Sequence, residues 1–112
     1  MPTYISLLNF TDQGVKTIKD LPARLSAARQ LMASKGATLH SYFLTMGQYD
    51  AVSIVEAPDE ETVVSLSIAI AGAGNIRTTT LRAFTEEEIP GILGKLPRSF
   101  NGSGRWFCLL SR

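Results

Sequence analysis

Gly47-Gln48-Tyr49-Asp50 brings a phenol and a carboxylate together on one short connection between two apolar runs. Such a pair can move protons if burial lifts the carboxyl pKa toward neutrality. The same four residues also make a plain hairpin turn, in which Gly47 takes a backbone angle other residues avoid and Asp50 accepts from nearby N–H groups. His40, the sole histidine, stands two residues before Tyr42, a spacing that on a strand sends both side chains into one space. There the imidazole could act as a base, a haem ligand or a substrate anchor, the plainer reading being an edge-exposed or hydrogen-bonded histidine. Arg77 and Arg82 fall at opposite parities of one strand, so one of them faces the inside, where it could hold an anionic group by paired hydrogen bonds. Asn9, Ser53 and Thr79 are small polar residues that could line the same space. The candidate ligand-binding set is His40, Tyr42, Tyr49, Asp50, Ser53 and Arg77, with Arg82 the alternative to the last; no residue is assigned a catalytic role.

No second histidine or cysteine stands at metal-ligand spacing, so no metal is expected, and no cofactor. Gly72-Ala73-Gly74-Asn75 resembles a dinucleotide fingerprint only superficially, because it closes a helix and opens a strand, the reverse of what phosphate binding needs. Cys108 has no histidine near it in sequence and is not expected to be a nucleophile.

The elements that must position these residues read in order along the chain. Thr3 to Phe10 is rich in aromatic and branched residues and reads as a strand, ended by Thr11-Asp12-Gln13-Gly14. Val15 and Ile18 suit a short helical turn before Pro22, which fits the first turn of a helix. Leu21, Leu25, Ala28 and Met32 then recur at steps of four, three and four, with Arg24, Arg29 and Lys35 off that stripe and Gly36 at the end. Ala37 to Met46 and Asp50 to Ala57 are strand-like runs joined by a connection too short for anything but a hairpin. Asp59 caps a second helix, with acids in its first turn and Val63, Leu66 and Ile70 as its buried stripe. Asn75 to Phe84 is the last strand, and Thr85-Glu86-Glu87-Glu88 has the spacing of a capping box opening a short helix limited by Pro90.

This order predicts an α+β, ferredoxin-like βαββαβ fold, with both helices on one side of a four-stranded antiparallel sheet and the other side bare. Pairing Met46 with Ala51 puts His40, Tyr42, Leu44, Met46, Ser53 and Val55 on the bare face and Leu39, Phe43, Val52 and Ile54 under the helices. A face so apolar needs cover, which predicts a homodimer or higher homo-oligomer.

A chain of 112 residues with 45% apolar content has the interior of one domain, here residues 1–96, followed by a tail over 97–112. That tail carries a Gly/Ser joint and then Trp106, Phe107, Leu109 and Leu110, suited to a flexible end or to docking on a partner subunit. A net charge of +1 provides no polyanion-binding surface, so nucleic acid is not an expected partner. Val63 to Ala73 is the longest apolar-leaning stretch and falls short of the ~20 residues a membrane span needs. Lone Cys108 and the absence of a signal-like start at Met1-Pro2-Thr3-Tyr4 point to the cytoplasm.

Beyond the tetrad, Phe10-Thr11-Asp12-Gln13-Gly14, Ile54-Val55-Glu56-Ala57-Pro58-Asp59 and Leu81-Arg82-Ala83-Phe84-Thr85-Glu86-Glu87-Glu88 extend a resemblance to the GYD domain family over about residues 3 to 94. The resemblance implies a dimeric α+β barrel and leaves the biochemical role open. The expected function is the binding of a small organic molecule in a pocket edged by His40, Tyr42 and Tyr49. The alternatives are a small cofactor-free enzyme of monooxygenase-like or isomerase-like type, and a ligand-free assembly protein.

Overall fold

Which side of each strand the helices cover follows from the alternation of buried and exposed positions. The computed structural model describes residues 1–100; the expectations for Trp106, Phe107, Cys108 and the rest of the tail beyond Phe100 lie outside the described residues. Thr3–Phe10 (β1), Thr38–Leu44 (β2), Ala51–Glu56 (β3) and Ile76–Ala83 (β4) form one sheet in the order β2-β3-β1-β4, every neighbouring pair antiparallel. Asp12–Lys16 (α1), Leu21–Ser34 (α2), Glu60–Ala71 (α3) and Ile89–Leu93 (α4) complete the chain, giving the ferredoxin-like α+β fold with its β-α-β-β-α-β order.

The local chemistry explains the boundaries. Thr11 opens α1 by accepting from the Gly14 N–H at 3.1 Å, and α2 carries Pro22 in its first turn. Gly36, at φ +77°, ends α2 in the left-handed conformation that costs glycine least. The Asp59 carboxylate accepts from the Thr62 N–H at 2.8 Å, and Glu60 and Glu61 follow where the helix dipole favours anions. Thr85 and Glu88 form the capping box, the Thr85 N–H donating to Glu88 Oε1 at 2.9 Å.

Across the helix-covered face the strands align in three rungs. Tyr4 stands between Val55 and Arg82, with Leu39 beyond Val55. The next rung is Tyr42, Ser53, Ser6 and Thr80, and the third is Leu44, Ala51, Leu8 and Thr78. Tyr4, Leu39, Val55, Ala37 and Ala57 from the sheet side pack with Met32 of α2 and Val63 and Leu66 of α3 as the core.

The predicted face assignment is therefore inverted except at Leu39, which lies under the helices as expected: Tyr42, Ser53 and Val55 lie under the helices, while Phe43, Val52 and Ile54 lie on the bare side with Ile5, Leu7 and Leu81. The register moved by two residues, Leu44 rather than Met46 opposing Ala51, which by itself keeps parity. A β-bulge at His40 then breaks parity, because Leu39 pairs with Val55 and Ser41 with Ile54, leaving one residue extra. Leu39 and Tyr42, odd and even, thus share a face. The bare side is more apolar than predicted, and Phe43 on it is 56% exposed.

Candidate functional site

A cavity of about 290 Å³ opens between the helix-covered face of the sheet and helices α2 and α3. The serines and Tyr42 of the middle rung form a polar band along its floor, flanked by apolar rungs, and Leu25, Leu31, Met32, Leu66 and Ile70 form the wall above. Ser6 and Thr80 hold each other at 3.2 Å. Ser53 is buried, so its hydroxyl is a polar group withdrawn from water in the middle of the floor.

Tyr4 lines one end of this space at 3% exposure. Its hydroxyl is the one buried side-chain polar atom among the described residues that has no hydrogen-bond partner. Burial above all raises the Tyr4 pKa, with the nearby Glu60 and Asp59 carboxylates adding to the effect and Arg82 opposing it. The Arg82 guanidinium lies 5.6 Å from the Tyr4 ring centroid and 4.3 Å from that of Phe84. Tyr42 is likewise pushed up, first by burial, with Asp50 adding and the Arg24 charge opposing. Both phenols are therefore held protonated near neutral pH, as hydrogen-bonding groups rather than bases.

Arg24 projects from α2 into the cavity wall. Its Nη1 donates to Thr17 Oγ1 at 3.0 Å and its Nη2 to the Gly14 carbonyl at 3.4 Å. Among the described residues it is the one charged residue in the lining, and none of them contributes a carboxylate or an imidazole there. This lining suits the holding of a molecule better than proton abstraction from it.

The six residues singled out in the sequence separate. Tyr42 and Ser53 face each other across β2 and β3 and line the cavity. Asp50 closes the hairpin: its N–H donates to the Leu8 carbonyl at 2.8 Å and its Oδ2 accepts from the Phe10 N–H at 2.9 Å. Gly47, at φ +110°, makes the turn, and Tyr49 is half-buried there, its backbone carbonyl accepting from Thr45 Oγ1 at 2.5 Å. His40 projects from the bulge toward Glu56, its Nε2 lying 3.7 Å from Oε1, and so does not share a space with Tyr42. Arg77 is exposed on the bare face with Thr79 and Leu81, whereas Arg82 lies on the helix side beside Tyr4. Neither Tyr49 nor His40 edges the cavity. Among the described residues no three His, Cys, Asp or Glu side chains cluster as metal ligands, and no helix is long and apolar enough to cross a membrane.

Tyr4 and Arg24 are the cavity residues that sequence reasoning passed over. A signal existed for each. Leu21, Arg24, Leu25, Ala28, Leu31 and Met32 all line the cavity, and their steps of three, one, three, three and one trace one face of a helix, so Arg24 belongs to the buried stripe rather than off it. Tyr4 shares parity with Ser6 and Leu8, but Ile5 and Leu7 on the other parity are equally apolar, so β1 alone does not choose its inner face.

The chain is similar to several known proteins. A Thermus thermophilus protein named glutamine synthetase and cystathionine beta-lyase binding protein is 36% identical over 84 residues, covering 74% of this chain and 88% of that protein. Two solved structures share the fold: a feast or famine regulatory protein from M. tuberculosis complexed with L-methionine, and a 5-chloro-2-hydroxyhydroquinone dehydrochlorinase from Burkholderia phenoliruptrix AC1100 in complex with 2,5-dihydroxybenzoquinone. The first aligns at a TM-score of 0.58 with 18% identity, over 76% of this chain and 51% of that one. The second aligns at 0.54 with 18% identity, over 79% and 98%. The GYD domain model matches residues 4–93, nearly the whole of the described domain, and together with the Thermus relative this shows that the chain belongs to the GYD domain family.

Proposed function

We propose that this protein binds a small organic molecule in the cavity between its sheet and helices α2 and α3, as one half of a homodimer joined through the bare sheet faces. One observation carries the binding reading: a tyrosine hydroxyl is sealed at the edge of an apolar cavity with nothing to bond. A buried polar group without a partner is costly, and a bound molecule offering a polar atom removes that cost. A ligand-free assembly role leaves the hydroxyl unexplained. The absence of a carboxylate or imidazole from the lining favours binding over an enzymatic role. The volume lies at the small end of ligand pockets, which suits a metabolite rather than a cofactor of dinucleotide size.

The homodimer rests on Phe43, Leu81, Ile5, Leu7, Val52 and Ile54, which present a continuous apolar surface covered by no helix among the described residues. A second reading, recognition of another protein, draws on the name of the 36% identical Thermus relative. The exposed apolar side chains Val64 and Ile68 on α3, beside Glu60 and Glu61, would suit such a contact.

Thermal denaturation of the full chain against small aromatic and aliphatic molecules, charged and neutral, tests the binding reading. A rise in melting temperature that grows with concentration supports it. No rise across the whole panel refutes it.

A further inference from the structure

We infer that the molecule held in this cavity is a small apolar carboxylic acid, its carboxylate placed on Arg24 and the Tyr42 hydroxyl and its apolar body directed along the wall toward Tyr4. This rests on the binding reading and narrows it to one class of ligand.

The charge inventory of the cavity leads to the anion. Arg24 is half-buried and is the single charged group in the wall. Among the described residues no carboxylate lies within salt-bridge distance of it: the two ion pairs are His40 with Glu56 and Arg82 with Glu88. Its recorded bonds, to Thr17 Oγ1 at 3.0 Å and to the Gly14 carbonyl at 3.4 Å, occupy two of the five N–H groups a guanidinium presents. A positive charge beside an apolar cavity, with donors to spare and no anion among the described residues to pair it, is the arrangement that recruits a carboxylate, whose two oxygens match the planar fork. Tyr42 lines the same cavity as Arg24, and its hydroxyl, held protonated by burial, can donate to the same oxygens.

The shape of the rest sets the body of the molecule. Leu25, Leu66 and Val55 surround its path and provide no hydrogen-bonding side chain. Tyr4 lies one rung along and two strands across from Tyr42, which places the two Cα atoms roughly 12 Å apart at ordinary strand spacing. Side chains reaching in from both ends leave room for one ring or a short chain. The unpartnered Tyr4 hydroxyl would bond a second polar atom at the end remote from the carboxylate, so a hydroxy-acid fills the site better than a plain acid.

The test is calorimetric titration of the full chain near neutral pH with three acids, 4-hydroxybenzoate, 4-hydroxyphenylacetate and hexanoate, and with the amide of each. The acids are expected to bind about 10- to 100-fold more tightly than the amides, the range a charge-assisted hydrogen bond commands. Arg24→Met should erase that preference and Arg24→Lys should keep part of it. Circular dichroism and the melting curve check that both variants are folded. If Arg24→Met does not fold, a reduced but surviving preference in Arg24→Lys together with weaker acid binding in Tyr42→Phe serves instead. Amides binding as tightly as acids, or a preference that survives Arg24→Met, overturns the acid assignment while leaving the binding reading intact. No binding of any of the six, or of the neutral molecules in the melting panel, overturns both.

Discussion

Replacing Asp50 by alanine isolates what the family signature does for the fold. β3 pairs with β1 as far as Leu8 and Ala51, and beyond that point the Asp50 carboxylate takes over, accepting from the Phe10 N–H at 2.9 Å where no strand partner remains. A hydrogen bond to a charged acceptor contributes about 1.5–3 kcal/mol, and the half-buried setting here argues for the lower part, about 1.5–2 kcal/mol. In a domain of this size that corresponds to a fall in melting temperature of roughly 6–16 °C. Asp50→Asn keeps an acceptor oxygen and should cost less than half as much. Gly47→Ala acts on the same turn by another route: a Cβ there meets nothing within 4 Å, so its cost is wholly the left-handed backbone at φ +110°. That cost is about 1–2 kcal/mol. Urea denaturation at fixed protein concentration measures all three, since pairing of copies would make stability depend on concentration. If Gly47 and Asp50 hold one clasp, the double variant loses less than the sum of the singles. Tyr49→Phe, which removes only a hydroxyl and keeps the backbone carbonyl that Thr45 Oγ1 bonds, should change nothing. An Asp50→Ala variant within about 0.5 kcal/mol of the parent protein would refute the reasoning, because the bond to β1 would then contribute no more than an ordinary surface substitution.

Three further outcomes follow from the same geometry. Tyr4→Phe removes an unsatisfied buried hydroxyl, so the unliganded protein should melt at the same temperature or higher while the rise caused by a bound hydroxy-acid shrinks, both read from one set of melting curves. Phe43→Glu places a charge among the apolar side chains of the bare face, on its edge strand β2, and should yield monomers by sedimentation at concentrations where the parent protein pairs; a parent that is itself monomeric at micromolar concentration would dismiss the pairing. Asp59→Ala removes the cap of α3. Because the Thr62 N–H holds the folded Asp59 carboxyl below its ordinary pKa, the stability this bond contributes is present above about pH 4, the unfolded value, and lost as the pH falls through the folded one. The gap between variant and parent in melting temperature should therefore be widest near neutral pH and close under acid.

Much of the architecture was legible because each element announces itself twice. α3 has a cap at Asp59, acids in its first turn and an apolar stripe, and all three point to the same boundaries. The four strands lie where their branched and aromatic runs place them, trimmed by no more than two residues at an end. Gly36 and Gly47 take the positive φ angles expected of them. What was not legible is which way the sheet faces. Every strand of this sheet carries apolar residues on both parities, Ile5 and Leu7 against Tyr4 and Leu8 on β1, so alternation gives no direction. The one residue that would have corrected the parity of β2 is His40, and nothing in Thr38-Leu39-His40-Ser41-Tyr42 marks a bulge: it contains no glycine and no proline.

The bulge also explains why the signature and the cavity are near each other without being the same thing. With His40 turned out toward Glu56, β2 re-enters its pairing one residue late, and Tyr42 rather than Ser41 falls in line with Ser53 under the helices. The hairpin that follows must then end β3 at the level of Leu8, and Asp50 secures that level by bonding both Leu8 and Phe10. Slippage of this pairing by one residue would carry Tyr42 and Ser53 to the bare face and bring Phe43 and Val52 inward, exchanging a polar floor for an apolar one. The Gly-x-Tyr-Asp turn thus serves the site from outside it. It holds the register that keeps Tyr42 and Ser53 in the cavity floor, and none of its own side chains lines the cavity.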